Sequence, residues 1–362
     1  MAEPKHNIGD LYQMQALPLN AKINMTITRV RGWLDHWDDE CYISFSGGKD
    51  STVLVDIIHN RMGRTDIPLV FVDTGLEYPE VREFVKSYGD KVVWLKPKMN
   101  FRQVIENYGY PFISKETSEA IYYARKTAKE GLNKNYKYGK PIRLLQLEGK
   151  MPHKEKGELT NEYSIRFNKS KYLYMLNAPF EVSNRCCQIM KKAPLSTIKG
   201  YPITGQMADE SIQRRSQWLK YGCNGFEMKK PKSNPMSFWT EQDVLEYIKT
   251  YKLPIASVYG EIVEVVGDDN IQGQMRFDDL SEDLWTDKLE QPRLKTTGCD
   301  RTGCMFCGFG CHLEKGEGRF ERMKRTHPKQ YEWIMKPWDE GGLGYKEVID
   351  WLNENGNLNI RY

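Results

Sequence analysis

The sequence predicts an α/β fold built on a doubly wound parallel sheet. A short strand at 41–45 runs through a glycine-rich turn into a helix, and a hydrophobic strand at 67–73 ends in a carboxylate. Further strand-like runs lie near 91–96 and 201–205. Strands that alternate with helices in this way build parallel sheets. Ligands of such sheets bind beyond the carboxyl ends of the strands, so the residues that follow the strands are the candidate site.

Length and composition agree with a folded globular protein. The chain has 362 residues, of which 40% are hydrophobic and 28% charged, with a net charge of +4. These values exclude a disordered or collagen-like chain, and no run approaches the roughly 18 apolar residues of a membrane helix. The N-terminus, MAEPKHNIGD, lacks the apolar core of a signal peptide, so we expect a cytoplasmic protein without a membrane partner. Eight cysteines in such a protein favour metal binding or catalysis over disulfides.

A helix precedes the first strand. Between 21 and 37, apolar residues recur at the three- and four-residue spacing of one buried helix face. They are Ile23, Ile27, Val30, Leu34 and Trp37.

The turn SGGKDS follows the first strand and has the features of an anion site. Gly47 and Gly48 allow the main chain to approach an anion without a Cβ in the way. Lys49 adds positive charge, and Asp50 can cap the following helix or help to hold a metal ion. The next residues, TVLVDIIHN, predict a helix with an apolar inner face, and a strand–turn–helix unit presents backbone N–H groups to a phosphate. The candidate phosphate-binding residues are Ser46, Gly47, Gly48, Lys49, Asp50 and Ser51.

The second strand ends in Asp73, which is followed by Thr74-Gly75 and a helix that opens near Pro79. A carboxylate at this end of a parallel strand lies where doubly wound folds bind ligands. We therefore add Asp73 to the candidate site.

These motifs resemble those of a known family. SGGKDS resembles the PP-loop of the ATP pyrophosphatase superfamily, and VDTGLEYPE resembles the VDTG-x-x-FPE signature of its phosphoadenosine phosphosulfate (PAPS) reductase family. Three further elements resemble that family in the same order: Cys186-Cys187 with Lys191, Pro194 and Leu195; TGQMADESIQRRS at 204–216; and FWTEQDVLEYIKTYKLPIASVYG at 238–260. The resemblance covers roughly residues 40–110 and 180–335.

The resemblance implies an adenine nucleotide alpha-hydrolase-like fold that binds ATP and Mg²⁺. Its members cleave ATP between the α and β phosphates. Besides the PP-loop residues and Asp73, it implies that Gly205 contacts the nucleotide. The residues expected to carry the chemistry are Lys49, Asp50, Asp73 and Arg214.

The sequence departs from the PAPS reductases at two points. Met207 occupies the usual arginine position of the G-x-R loop, and methionine cannot form the paired hydrogen bonds by which arginine binds sulfate or phosphate. Reductases of the family also carry a nucleophilic cysteine in a C-terminal tail, whereas this sequence has no cysteine after Cys311. Both points favour another reaction over reduction.

Four cysteines within 13 residues indicate a metal or cluster site. They are spaced C-x4-C-x2-C-x3-C, as Cys299, Cys304, Cys307 and Cys311. Thiolates suit both zinc and a [4Fe-4S] cluster. Adenylyl-sulfate reductases of the family bind a [4Fe-4S] cluster through a cysteine pair and a distant C-x-x-C, which favours iron–sulfur with Zn²⁺ as the alternative. The preferred ligands are Cys187, Cys299, Cys304 and Cys307, with Cys186 and Cys311 in reserve.

The stretch 114–178 is basic and rich in tyrosine. It holds 14 Lys and Arg against 7 Asp and Glu. Basic and aromatic residues together suit a nucleic-acid partner, but a solvated insertion is the alternative. The segments expected are 1–113 as the first part of the PP-loop domain, 114–178 as a basic helical insertion, 179–260 as the second part, and 261–362 as an acidic linker plus the cysteine region.

The sequence thus leads to an ATP-dependent sulfur transferase of the PAPS reductase family, similar in character to the ATP pyrophosphatases of DNA-phosphorothioation systems. Its partners would be ATP, a sulfur donor such as a cysteine desulfurase, and an acceptor that could be a nucleic acid. Two alternatives stay open. One is a PAPS or adenylyl-sulfate reductase, and the other is a non-catalytic ATP-binding accessory protein with a structural zinc tail.

Overall fold

The computed structural model describes residues 4–130, 136–155, 158–266 and 292–362. The chain forms two compact units, and each unit combines two separated stretches: Met1–Lys96 with Pro194–Gly303, and Pro97–Ala193 with Cys304–Tyr362. The segments expected from the sequence follow one another along the chain instead. The acidic residues of its linker, between 268 and 283, lie outside the described residues. None of the helices in the described ranges has the length and apolar character to cross a membrane.

The first unit contains a six-stranded sheet. Its strands are β1 (Cys41–Ser44), β2 (Leu69–Val72), β3 (Val92–Leu95), β7 (Tyr201–Ile203), β8 (Asn224–Gly225) and β9 (Lys232–Ser233). The order is β3-β2-β1-β7-β9-β8. All neighbours are parallel except β8 and β9, which pair antiparallel. The predicted parallel α/β sheet is confirmed, with an antiparallel edge that the sequence analysis did not predict.

Helices flank this sheet. They are α1 (Ile8–Gln15), α2 (Leu19–His36), α3 (Lys49–Val55), α4 (Pro79–Lys86), α10 (Ile212–Tyr221) and α11 (Glu241–Tyr251). The strands β10 (Ile262–Val265) and β11 (Arg293–Thr296) of the same unit pair antiparallel in a separate two-stranded sheet. On α2 the predicted face is buried at Ile23, Val30 and Leu34, whereas Ile27 and Trp37 are only partly buried.

The helix that follows the PP-loop buries the apolar residues predicted to form its inner face. α3 continues into a π-helical turn at Asp56–Arg61. Val53, Leu54, Ile57 and Ile58 are fully buried in the core beneath β1 and β2. The apolar spacing of this segment therefore anchors the PP-loop to the sheet.

The second unit is mainly helical. Its helices are α5 (Phe101–Tyr108), α6 (Lys115–Glu130), α7 (Ile142–Leu147), α8 (Arg185–Cys187), α12 (Arg319–Thr326), α13 (Pro328–Met335) and α14 (Tyr345–Gly356), and its strands are β4 (Phe112–Ile113), β5 (Pro152–Glu155), β6 (Glu158–Tyr163) and β12 (Gly308–Phe309). The chain returns to the first unit through α9 (Ala193–Leu195).

Two details of this unit differ from the sequence prediction. The basic insertion is not wholly helical, because β5 and β6 form an antiparallel hairpin within it. The apolar and basic spacing of the sequence predicts one basic amphipathic helix at 319–336, whereas the structure has two helices there, α12 and α13. His327 leaves the helical conformation at φ −137°, and Pro328 starts the second helix, since proline lacks the N–H that would continue the first.

Candidate functional site

The PP-loop, residues 46–51, connects β1 to α3 in the first unit. Gly47 has φ +69°, which favours glycine. A Cβ added there would lie 2.6 Å from Val85 Cγ2 and 2.8 Å from Val81 Cγ1. The close packing of α4 therefore requires a glycine at this position.

The two serine side chains of the PP-loop brace the turn. Ser46 Oγ and Ser51 Oγ are 3.0 Å apart, and Ser51 Oγ donates to the Gly48 carbonyl at 2.9 Å. Thr52 Oγ1 donates to the same carbonyl at 3.0 Å. These hydroxyls hold the loop in shape from within.

The Lys49 ammonium is buried and surrounded by acceptors. Its side chain is 2% exposed, and Nζ donates to the Asp300 carbonyl at 2.7 Å. Nζ also forms ion pairs with Glu241 at 3.0 Å and Asp50 at 3.9 Å. Burial alone would lower the pKa of Lys49, but the Asp50 and Glu241 carboxylates outweigh it and raise that pKa. Lys49 therefore carries a firmly held positive charge.

The surroundings of Asp50 favour its neutral form, whereas those of Lys49 favour its charged form. Burial raises its pKa, and the nearby Glu210 and Glu241 carboxylates add to the rise, while Lys49 and Arg301 oppose it. Its Oδ1 is buried without a hydrogen-bond partner. A buried carboxylate oxygen with free lone pairs is suited to a hard cation such as Mg²⁺.

Gly205 and Asp73 lie beyond the ends of β7 and β2. A Cβ on Gly205 would lie 3.0 Å from the Asp50 carbonyl oxygen and 3.2 Å from Ser51 N, so the loop after β7 packs directly on the PP-loop backbone. Asp73 is buried and accepts a hydrogen bond from Arg82 Nη2 at 2.7 Å.

Arg214 is positioned by α10 and forms an ion pair with Glu210. Glu210 also pairs with Arg301, at 3.5 Å. Met207 is 2% exposed and belongs to the hydrophobic core of the unit. The side chain at the usual arginine position of this loop is therefore packed in apolar surroundings.

Four residues that contact Lys49 or its neighbours were not among the candidates from the sequence. Glu241 and the Asp300 carbonyl bind the ammonium as described above. The Tyr259 hydroxyl accepts a hydrogen bond from the Lys49 backbone N–H at 3.1 Å and lies 2.6 Å from Thr302 Oγ1. Glu241 and Tyr259 lie in the segment 238–260 that resembles the family, and this was the signal available in the sequence.

The second unit holds five of the six candidate ligands. Cys186 and Cys187 lie on α8, and Cys304, Cys307 and Cys311 lie in the segment before α12. Cys307 N donates to the Cys304 carbonyl at 3.1 Å, so the C-x-x-C forms a tight turn. β12 follows the turn and pairs with β4. A Cβ on Gly308 would lie 2.5 Å from the Phe112 ring.

The Cys186–Cys187 pair is electrostatically linked to the turn. Cys186 donates a hydrogen bond to Cys187, which raises the pKa of Cys186 and lowers that of Cys187. The charges of Lys115 and Lys191 lower the pKa of Cys187 further. Cys304 and Cys307 interact electrostatically with Cys186.

Cys299, the remaining candidate, belongs to the first unit. Its thiol donates to the Tyr78 hydroxyl at 3.5 Å. Among the residues that the structure describes, no three Cys, His, Asp or Glu side chains are arranged closely enough to hold a metal ion as they stand. The donor chemistry of Cys186, Cys187, Cys304 and Cys307 nevertheless fits a thiolate-bound metal or cluster.

Comparison with known proteins gives several matches of different extent. An uncharacterized protein of Methanocaldococcus jannaschii, MJ0066, is 40% identical over 73 residues, which are 19% of this chain and 15% of that protein. A second one, MJ0973, is 42% identical over 72 residues, 19% of this chain and 17% of that protein. The chain thus spans less than a fifth of either relative. An adenosine 5'-phosphosulfate reductase of Staphylococcus haemolyticus is 24% identical over 236 residues, 64% of this chain and 70% of that enzyme.

Among solved structures, the PAPS reductase of Candida auris in a phosphate complex matches with a TM-score of 0.33 and 13% identity, over 71% of this chain and 92% of that one. The phosphoadenosine phosphosulfate reductase domain matches residues 40–140 and 142–308, well over half of the sequence. This match includes the PP-loop, the cysteine pair and the C-x-x-C turn. The chain belongs to the phosphoadenosine phosphosulfate reductase domain family, a family of enzymes.

Proposed function

We propose that this enzyme is an ATP-dependent sulfur transferase that splits ATP into AMP and pyrophosphate. The observation that carries this choice over reduction is Met207. It is packed in the core at the position where the resemblance places a sulfate-binding arginine. Without that arginine, the PP-loop site is better suited to ATP than to a sulfated nucleotide.

The proposed chemistry has three steps. An oxygen of the acceptor attacks the α phosphorus of ATP, the bond to the bridging oxygen breaks, and pyrophosphate leaves. The outer sulfur of a persulfide, delivered by a donor such as a cysteine desulfurase, then attacks the activated acceptor atom and AMP leaves. A second thiol reduces the resulting S–S bond, so that the sulfur stays on the acceptor and the donor sulfur leaves in a new disulfide. Positioning and charge neutralisation dominate the first step.

In this proposal each residue of the PP-loop has its own role in binding the phosphates or the metal ion. The Lys49 ammonium neutralises the phosphate charge, and the backbone beside Gly47 and Gly48 approaches the phosphate oxygens. Asp50, whose Oδ1 makes no hydrogen bond, would hold Mg²⁺, which would supply charge neutralisation of the leaving pyrophosphate. Gly205 keeps the loop after β7 against the PP-loop backbone. Asp73 and Arg214 complete the site as proposed catalytic residues.

We test the nucleotide site with Lys49→Ala and Asp50→Asn. Release of AMP and pyrophosphate from ATP labelled at the α phosphate should fall by about a hundredfold or more in Lys49→Ala, since a buried charge aimed at the phosphates is lost. Asp50→Asn should weaken the dependence on Mg²⁺. Lys249→Ala, which removes an exposed lysine of α11, is the control. ATP affinity equal to the wild type in both variants would overturn the assignment.

We propose further that Cys186, Cys187, Cys304 and Cys307 hold the [4Fe-4S] cluster, which would supply sulfur or electron-transfer chemistry. The electrostatic interaction of Cys187, Cys304 and Cys307 with Cys186 supports this set. Iron, acid-labile sulfide and zinc are measured per chain after anaerobic purification. Four irons and four sulfides would support the cluster, whereas one zinc and no iron would identify a structural zinc site.

Reduction of PAPS or adenylyl sulfate is the second candidate, because the similarity to adenosine 5'-phosphosulfate reductase extends over 64% of the chain. The two reactions give different products. Free sulfite formed from either sulfated nucleotide, without AMP release from ATP, would establish reduction. AMP and pyrophosphate from ATP, without sulfite, would establish the transferase.

A nucleic-acid acceptor is proposed for the basic insertion. Tyr163, Ile165 and Phe167 are 59%, 91% and 38% exposed, and Arg166 stacks 5.6 Å from the Phe167 ring. Exposed aromatic and basic side chains bind unstacked bases and phosphates. Arg166→Glu should weaken binding of a labelled single-stranded oligonucleotide at low salt, while Lys346→Glu on α14 should not. The absence of binding by the wild type would contradict this proposal.

A further inference from the structure

Lys49 of the PP-loop is buried, and its ammonium contacts a carbonyl and a carboxylate of the protein. Lys49 Nζ donates to the Asp300 carbonyl at 2.7 Å and lies 3.0 Å from Glu241, while Asp50 Oδ1 is farther away, at 3.9 Å. The side chain is 2% exposed. A phosphate oxygen that approaches Nζ therefore competes with the Asp300 carbonyl and the Glu241 carboxylate for a buried ammonium.

Two hydroxyls cover the backbone of the same loop. Tyr259 Oη accepts the hydrogen bond from Lys49 N at 3.1 Å and lies 2.6 Å from Thr302 Oγ1. A Cβ added to Gly48 would lie 3.3 Å from Tyr259 Oη and 3.4 Å from Thr302 Oγ1. These two hydroxyls therefore occupy the side of Gly48 from which an anion would approach the backbone.

The residues before Asp300 are fastened to the segment that carries Tyr259. Gly298 N donates to the Tyr259 carbonyl and Cys299 N donates to the Val258 carbonyl, both at 2.9 Å. A Cβ on Gly298 would lie 2.3 Å from the Val258 carbonyl oxygen. Tyr259, Asp300 and Thr302 are therefore held together, and we call these three residues the gate.

We propose that Tyr259 is a positioning residue of the nucleotide site that keeps the gate closed on the PP-loop until a phosphate ligand displaces it. The inference rests on the proposed ATP site. The closed gate competes with the ligand for the Lys49 amide and ammonium. The apparent affinity for ATP is consequently the intrinsic affinity multiplied by the fraction of molecules whose gate is open.

The test measures binding of Mg-ATP and of inorganic pyrophosphate to the full chain by calorimetry. Tyr259→Phe and Thr302→Val each remove a hydroxyl from the gate, so both ligands should bind about threefold tighter or more. The double variant should gain little over either single variant, because both changes break the same chain of hydrogen bonds. Tyr251→Phe, whose hydroxyl lies on an exposed face 3.4 Å from Asn20, is the matched control and should not change binding.

The kinetics separate a gate from a direct contact with the ligand. Stopped-flow mixing with a fluorescent ATP analogue should show that the gain in Tyr259→Phe lies in the association rate, since the gate contacts exist only in the free protein. Binding that is weaker or unchanged in Tyr259→Phe, or tighter only through slower dissociation, would overturn the gate while leaving the ATP site standing. A wild-type protein that binds neither ligand would overturn both.

Discussion

At the residue scale, Gly205 shows how one missing side chain shapes the site. A Cβ there would lie 3.0 Å from the Asp50 carbonyl oxygen and 3.1 Å from its carbon. Both atoms belong to the backbone of the PP-loop and can yield only if the loop moves. The missing side chain of Gly205 therefore leaves room for the PP-loop, which follows the neighbouring strand β1.

We therefore expect Gly205→Ala to weaken ATP binding by about tenfold with a loss of unfolding free energy of only about 1 kcal/mol. Calorimetric titration and denaturant unfolding measure the two effects. Gly32→Ala in α2 is the control, because a Cβ there meets nothing within 4 Å and should stabilise the helix by about 0.5–1 kcal/mol. Unchanged ATP affinity in Gly205→Ala would contradict the expected contact.

The buried imidazole of His59 makes the stability of the fold depend on pH. Burial lowers its pKa, the Lys91 charge lowers it further, and Nε2 donates to the Ile67 carbonyl at 2.9 Å. Below about pH 6.5 the His59 imidazole binds a proton more readily in the unfolded chain than in the folded chain, so protonation favours unfolding. The contribution of His59 is present at neutral pH and is lost as the pH falls.

Replacing His59 by Gln should accordingly flatten the fall in unfolding free energy between about pH 7 and pH 5. Denaturant unfolding at several pH values measures the slope. His36→Gln, at an exposed position of α2, is the matched control for the loss of an imidazole. An identical slope in His59→Gln and the wild type would show that His59 does not contribute.

At the scale of elements, a buried ion pair joins α2 to α11. Lys22 Nζ lies 2.6 Å from both oxygens of Asp243 and donates to the Gln15 carbonyl at 2.7 Å. Asp243 also accepts hydrogen bonds from Thr240 and so caps the start of α11. The polar contact therefore fixes the position of the helix that carries Glu241 toward Lys49.

Lys22→Ala leaves the Asp243 carboxylate buried without its counter-charge, so we expect a loss of about 3 kcal/mol or more in unfolding free energy. The control is Lys249→Ala on the same helix, which breaks an exposed ion pair with Glu264 and should cost less than about 1 kcal/mol. Denaturant unfolding measures both. Similar small losses in the two variants would contradict the special role of the buried pair.

At the scale of the whole molecule, the two candidate sites lie in different units. The PP-loop and its gate belong to the first unit, and the cysteine pair with the C-x-x-C turn belongs to the second. The chain passes between the units after Lys96, Ala193 and Gly303. The residues just before the last crossing, Asp300 and Thr302, belong to the gate.

Each ligand should therefore protect its own unit. We expect Mg-ATP to slow hydrogen exchange in peptides from 41–55 and 201–216, and metal loading to slow it in peptides from 182–192 and 304–313. Exchange followed by mass spectrometry on the full chain, with and without each ligand, measures this. Protection by ATP confined to the second unit would contradict the placement of the nucleotide site.

The sequence by itself was sufficient to predict the elements that carry the PP-loop and Asp73. The strand–turn–helix unit at 41–58, the strand that ends in Asp73 and the parallel sheet were all predicted, because apolar spacing and turn residues act over a few positions. The same reasoning missed the break at Pro328 within an apparently continuous basic helix. It also missed the β5–β6 hairpin within the insertion.

Only the tertiary structure decided what surrounds the predicted residues. Lys49 meets the Asp300 carbonyl 251 positions away and its amide meets Tyr259 210 positions away, and no local pattern encodes such distant partners. Among the cysteines, spacing groups Cys299 with the C-x-x-C, and the structure adds that the Cys299 thiol donates to the Tyr78 hydroxyl, 221 positions away. Spacing along a chain limits which thiols can meet, but the packing of whole elements decides which of them do.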